Sequence, residues 1–375
     1  MCAPETLPPS KASYYCLDLA GLDDKLYKYS VPADKWLDQA QTADKNGFAA
    51  GSLGKVSPCS FNVQLERCIG IPFYVFLNVV PFLLPLTLMV VGAWRALLLL
   101  VVVAVCHAAL GKVRGPKKHS IESMARAQYM FTERNSTKYV STRYVWPRSV
   151  AELGDEAVIF AVVPHGTLAP FGVTAYPIWS KLWGGVSHIC HWTAAPVVLQ
   201  LPLVGALLRS LGYLPAKAKA MQKALEKEET VGVILDGVAG MFQQDPKVEK
   251  AYINSRKAIV AVAMKAGVPI VPVYGFGHTQ LVTLVTDPFG ILESLSLKLD
   301  TSLAPYYGRW GIPFGPPRRE PVLMALGDPV RLPKCEKPTP EQVDEGHKAM
   351  LAGFAKVFET HKVAYGWPDK ELRFV

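Results

Sequence analysis

The chain has 375 residues, enough to bury a full core as one large domain or two modest ones. Hydrophobic residues make up 50% of it and charged residues 19%, with a mean hydropathy of +0.19, so a membrane segment is expected. The net charge of +9 suits an anionic partner, and seven scattered cysteines without a CxxC pair fit neither a zinc site nor a disulfide framework.

In chain order, "MCAPETLPPS" has no basic stretch leading into an apolar one, so no cleaved signal peptide is expected. Residues 1–68 read as a cytosolic, partly flexible segment with reduced thiols. From Ile69 to Leu110 stand 42 residues with one formal charge, Arg95. Two apolar arms joined near Gly92–Arg95 predict a membrane hairpin, either spanning or dipping into one leaflet, since Pro72, Pro81 and Pro85 would kink the first arm. Nine basic residues between Lys112 and Arg148, against Glu122 and Glu133, place this flank on the cytosolic side by the positive-inside rule. The sequon at Asn135 would be inert there.

From residue 111 to 375 the pattern is strand–helix alternation, which predicts an α/β domain, a mixed sheet flanked by helices. "AVIFAVV" (157–163) is a strand covered on both faces, and "VSHICHWT" (186–193) a second. Helices are predicted over 197–212 and 217–229, a strand over 230–237, a helix over 255–267 closed by Gly267, and a strand over 268–277. Residues 278–319 read as irregular and aromatic-rich, a loop that shapes a site or packs on a partner surface. "EPVLMALGDPVRL" (320–332) reads as strand–turn–strand. Thr339, Pro340 and Gln342 open a final helix with a capping box, whose apolar face carries Met350, Phe354, Val357 and Phe358. His347 and His361 share that face as packing residues.

Chemistry is expected at the C-terminal ends of the strands. Pro164-His165-Gly166 leaves the first, Asp236-Gly237 the third, and Pro272–Gly277 the next. His165 titrates near neutrality and can take a proton from a hydroxyl, while Gly166 admits backbone close to a ligand. Asp236 is the candidate to orient the imidazole, and an ordinary Asp-Gly turn competes with that reading. There is no GxSxG, GxGxxG or GxxxxGK[ST], which argues against hydrolase, dinucleotide and P-loop sites. Cys190 and His191 would point to opposite faces of a strand, so no metal site is expected.

Four blocks in order behind the apolar segment resemble the diacylglycerol acyltransferase type 2 family. They are "VVPHGTLAPFG", "NSRKAIVAVAMKAGVPIVPVYGFGHTQL", "GRWGIPFGPPRREPVLMALGDPVRLP" and "PTPEQVDEGHKAMLAGFAKVFETHKVAYG". Two departures stand out: Val163 replaces the first His of the family's HPHG, and Gly240 stands where its Gly-Gly block ends in Glu. The resemblance implies an acyl-CoA-dependent O-acyltransferase that makes triacylglycerol from diacylglycerol, with His165 as general base. It implies substrate contacts from Pro164, Gly166, Gly237, Arg256, Lys257, Arg318 and Arg319, the cationic four toward CoA phosphates. It implies no cofactor beyond acyl-CoA as substrate, no metal and no nucleic acid, and leaves a homo-oligomer open. The expected station is the cytosolic face of the endoplasmic reticulum membrane, with lipid droplets as a second. Monoacylglycerol, a long-chain alcohol or a lysolipid is the alternative acceptor, and a non-catalytic lipid-surface protein is the alternative of another class.

Overall fold

A computed structural model describes residues 12–18, 40–56 without 45, 92–102 without 97 and 100, 139–167 without 155, 190–242 without 202 and 203, 245, 247–299 and 304–375. Most of the expected hairpin, its flank from 112 to 138 with the sequon, and the first part of the strand expected over 186–193 lie outside these residues. No helix among the described residues is long and apolar enough to cross a membrane.

Strands β1 (Tyr14–Asp18), β2 (Gln41–Ala43), β3 (Arg143–Pro147), β4 (Ile159–Val163), β5 (Cys190–Ala194), β6 (Leu214–Pro215), β7 (Thr230–Ile234), β9 (Ile270–Phe276) and β12 (Leu323–Leu326) form one sheet. Its order is β2-β1-β3-β12-β9-β4-β7-β5-β6. From β9 to β6 every pairing is parallel, so those five strands end on the same side. β12 runs antiparallel to β9, and β1 antiparallel to β3, which makes the sheet mixed. Two small ribbons complete the strands, β10 (Thr283–Leu284) with β11 (Tyr306–Tyr307), and β8 (Val248–Ala251) with β13 (Glu371–Phe374).

The helices are α1 (Arg148–Ala151), α2 (Pro196–Gln200), α3 (Val204–Ser210), α4 (Ala218–Leu225), α5 (Gly237–Met241), α6 (Ala258–Ala266), α7 (Ile291–Leu299) and α8 (Pro340–Tyr365). Strand β4 shows why the sheet is covered twice. Phe160 and Val162 enter one buried cluster, whereas Ile159, Ala161 and Val163 enter the other, as the two-residue strand period requires. The second cluster is roofed by α4, α6 and α8 through Met221, Val260, Met350, Phe354 and Phe358. Helix α8 begins as expected: Thr339 accepts the Gln342 N–H, the Gln342 side chain accepts the Thr339 N–H, and Pro340 stands at N1. His347 bonds the Ile253 carbonyl at 3.0 Å and His361 packs edge-on against Tyr14, both buried. Gly267 ends α6 in a left-handed conformation, φ 74°.

Several elements differ from the sequence reading. The helix over 197–212 is two helices, because Leu201 precedes Pro202 and is extended at ψ 135°. The second strand of 320–332 is reduced to one bridge, Val330 to Ile270. The stretch 278–319 contains α7 and a two-stranded ribbon. Strands β1 and β2 belong to the main sheet, with Tyr15 stacked on Trp146 across the β1–β3 pair.

Candidate active site

Strands β9, β4 and β7 are neighbours with parallel registers, Val163 beside Tyr274 and Val162 beside Ile234. Their exits therefore converge. The Pro164–Gly166 turn leaves the middle strand, Asp236 leaves one neighbour, and His278 lies just beyond the other.

Asp236 is fully buried, and both of its carboxylate oxygens accept the backbone N–H of His165, at 2.9 Å each. Burial pushes its pKa up to about 7, against the lowering by N–H donors of His165, Asp236 and Gly237 and by the Arg256 charge. The carboxylate thus holds the backbone under the histidine. The imidazole finds its partner locally: Nδ1 donates to the Gly166 carbonyl at 2.6 Å. A carbonyl only accepts, so this contact fixes the Nδ1–H tautomer and leaves the Nε2 lone pair as the proton acceptor. Burial pushes the His165 pKa below its ordinary value, while the Gly166 contact opposes the shift. The net result is a ring that is neutral near pH 7.

His278, which the sequence reading passed over, completes the turn. It is buried, and its Nδ1 donates to the Pro164 carbonyl at 2.9 Å. Gly166 has φ 61°, and a Cβ there would sit 3.2 Å from the His278 carbonyl and 3.3 Å from its ring. Only glycine combines that conformation with that neighbour. The available signal was position: "GFGHTQ" places His278 just past a strand end, as Pro164-His165-Gly166 is placed.

Gly240 receives the side chain of Asp236. A Cβ at 240 would collide with the Asp236 carboxylate. The Asp236 carboxylate therefore takes the room in which a side chain at 240, one turn of α5 later, would begin. Val163, where the resemblance has a histidine, is wholly buried in the apolar cluster with Tyr274 and Phe276.

Of the expected cations, only Arg256 joins this group. Its charge acts on Asp236, its Nη2 lies 3.7 Å from where a Gly237 Cβ would be, and its buried Nε has no hydrogen-bond partner among the described residues. Lys257 is turned to the surface, paired with Asp344 of α8 at 2.7 Å. Arg318 spans the Gln280 carbonyl and the Thr283 hydroxyl, bracing the chain beyond His278. Arg319 donates to the Tyr139 carbonyl at 3.3 Å with its guanidinium 5.9 Å from that ring. Gly237 marks the left-handed entry to α5, φ 53°, and its N–H faces the Asp236 carboxylate. On the flank of the site Glu249 is buried and receives Lys370 at 2.6 Å and the Tyr274 hydroxyl at 3.0 Å. His191 is not placed as a metal ligand: Nδ1 donates to the Gly212 carbonyl and Nε2 faces Glu229 at 3.2 Å.

The sequence is similar to those of known acyltransferases. Bovine 2-acylglycerol O-acyltransferase 1 is 29% identical over 228 residues, 57% of this chain and 68% of that protein. Human diacylglycerol O-acyltransferase 2-like protein 6 is 24% identical over 326 residues, covering 80% of this chain and 92% of that protein. Human diacylglycerol O-acyltransferase 2 is 24% identical over 234 residues, 57% of this chain and 59% of that protein. The sequence pattern of the diacylglycerol acyltransferase family matches residues 93–375, from the helical residues near Trp94 to the C-terminus. With well over half of its length matched, the chain belongs to the diacylglycerol acyltransferase family.

Proposed function

We propose that this protein transfers an acyl group from acyl-CoA to the free hydroxyl of diacylglycerol, giving triacylglycerol and CoA. The observation that carries the reading is the His165 imidazole, tautomer-fixed through Gly166, at the convergence of three parallel strand ends in a chain of this family. Nε2 takes the hydroxyl proton as the oxygen attacks the thioester carbonyl. The tetrahedral intermediate collapses by breaking the carbon–sulfur bond, and the departing thiolate takes the proton back from His165. Because the Gly237 N–H is turned to Asp236, the oxyanion is assigned to backbone donors on the Gly166 side of the turn. Asp236 and His278 position that turn from its two sides, and Arg256 is the cation assigned to a CoA phosphate. The thioester supplies the free energy, so the scheme calls for no cofactor beyond acyl-CoA.

The place of action is proposed to be the cytosolic face of the endoplasmic reticulum membrane, with droplets as a second station, supported by the apolar stretch 69–110 and its basic flank. Monoacylglycerol is the second acceptor to consider, because a 2-acylglycerol acyltransferase is among the more similar relatives. Membranes from cells without their own triacylglycerol synthesis, given labelled acyl-CoA and a panel of acceptors, test the proposal. Labelled triacylglycerol from diacylglycerol is expected. Product from monoacylglycerol alone moves the acceptor assignment, and no neutral lipid from any acceptor refutes the enzymatic reading.

A further inference from the structure

Glu249 is a second buried carboxylate beside the turn, only 3% exposed, and both of its oxygens are occupied. Oε1 accepts from the Lys370 ammonium at 2.6 Å and Oε2 from the Tyr274 hydroxyl at 3.0 Å. The Thr279 hydroxyl lies across the two oxygens, at 3.4 and 3.3 Å.

These partners bracket His278. Thr279 is the next residue, and Tyr274, four residues earlier on β9, stands in register with Val163, the residue before Pro164. His278 itself donates to the Pro164 carbonyl. Burial pushes the Tyr274 pKa up, Glu249 pushes it further by charge and hydrogen bond, and Asp236 adds to the shift, so the phenol stays a donor. Two carboxylates thus serve one turn. Asp236 holds the His165 N–H, and Glu249 holds the segment that carries His278.

The charge on Glu249 is met from the C-terminal end of the chain. Lys370 lies just before β13, its ammonium 3.9 Å over the Trp367 ring, and Trp367 packs on Phe276 of β9 and on Tyr365. Tyr365 donates to the Pro321 carbonyl at 2.6 Å, and its hydroxyl takes the room a Cβ at Gly277 would need. Gly277, at φ 79°, immediately precedes His278. The chain around the end of α8 therefore packs on both sides of that histidine. An ion pair taken out of water adds little net stability over apolar packing of the same volume, and β13 already pairs with β8 over four residues. What a charged acceptor does supply is direction, since it fixes where its donors point.

We propose that Glu249 and Lys370 are positioning residues for acyl transfer, holding His278 against the Pro164–Gly166 turn through Tyr274 and Thr279. The effect on turnover rests on the acyltransferase reading, whereas the hold on His278 is measured without turnover.

Microsomes carrying the full chain are treated with diethyl pyrocarbonate, which modifies accessible neutral imidazoles, and the modified peptides are weighed. Thr279→Val and Lys370→Met are expected to speed modification of His278 about fivefold, the opening that follows loss of one hydrogen bond. Thr279→Ser keeps the hydroxyl and should return the rate to native. His361, buried against Tyr14, should keep its native rate throughout and so reports on the fold at large. On the same microsomes kcat should fall about tenfold in Thr279→Val and Lys370→Met with KM for acyl-CoA unchanged, as a misplaced site rather than a lost substrate contact requires. A native His278 rate in Thr279→Val, a His361 rate that rises in step with it, or a native kcat once His278 has opened would each overturn the proposal. Should Lys370→Met fail to fold, Thr279→Val and its Ser counterpart decide. Native protein that gives no product from any acceptor refutes the acyltransferase reading alone, and the histidine rates still decide whether Glu249 holds the turn.

Discussion

The carboxylate of Asp236 fills the space that a side chain at Gly240 would occupy, and from there both its oxygens receive the His165 N–H. Replacing Gly240 by Ala in the native background is therefore expected to cost about 1–3 kcal/mol through overpacking. In an Asp236→Gly background the same change has room and is expected to cost less. Thermal unfolding of the two single variants and the double variant in detergent gives the coupling energy. Additive costs would show that the two positions do not share that space.

Asp236→Ala leaves the His165 N–H buried without its acceptor, a loss of about 1–3 kcal/mol. Asp236→Asn keeps one acceptor oxygen and is expected to retain more stability and more acyl transfer than Ala. Melting temperature and kcat measured in parallel for the two variants check the order. Because the folded pKa is raised to about 7, the protonated acid is the form that burial favours. Its contribution to stability is fully present below the unfolded value of about 4 and is lost as pH rises through about 7. Asp236→Asn should flatten stability over that window.

His361 gives the opposite slope. Burial lowers its pKa to about 4, so the unfolded chain takes the proton first as pH falls. Its contribution is complete above about 6.5 and is lost toward pH 4, on the order of 3 kcal/mol in all. His361→Phe should remove that part of the acid destabilisation while leaving acyl transfer near native at pH 7. An unchanged stability profile between pH 4 and 6.5 would count against a buried, neutral His361.

Arg256 and Lys257 are adjacent in sequence yet differ in setting. Arg256→Ala is expected to raise KM for acyl-CoA about tenfold or more, the loss of a charge-assisted contact. Lys257→Ala removes a half-exposed ion pair with Asp344 and should change KM little and stability by less than about 1 kcal/mol. Equal effects on KM would remove the distinction.

Much of the fold was legible because its signals were local. The all-apolar run ending at Val163 is a central strand, Gly267 closes α6, and Thr339 with Gln342 opens α8. The strands on the β2 side of the sheet were less legible: β1, β2 and β3 draw their partners from positions far apart in the chain, and β8 pairs with the distant β13. Helix α7 was hidden because its leucines face outward, so no core-facing pattern marks it. In the site, His165 and Asp236 stood out as strand-end residues, and the structure joins them through backbone rather than through the ring. His278 could not be placed from sequence, since only the β9–β4 register brings it against Gly166. The cations at 257, 318 and 319 look alike in sequence to the one at 256, and only their partners tell them apart.

The central claim is that the His165 imidazole takes the acceptor proton. The most direct test is initial acyl transfer from labelled acyl-CoA to diacylglycerol, in membranes carrying native protein or His165→Ala at matched levels, as a function of pH. The native rate should fall on the acid side with a midpoint below 6.5, as the lowered pKa requires. The variant should lose about a hundredfold or more and show no such limb. A variant rate equal to the native one, with the same acid limb, would contradict the account.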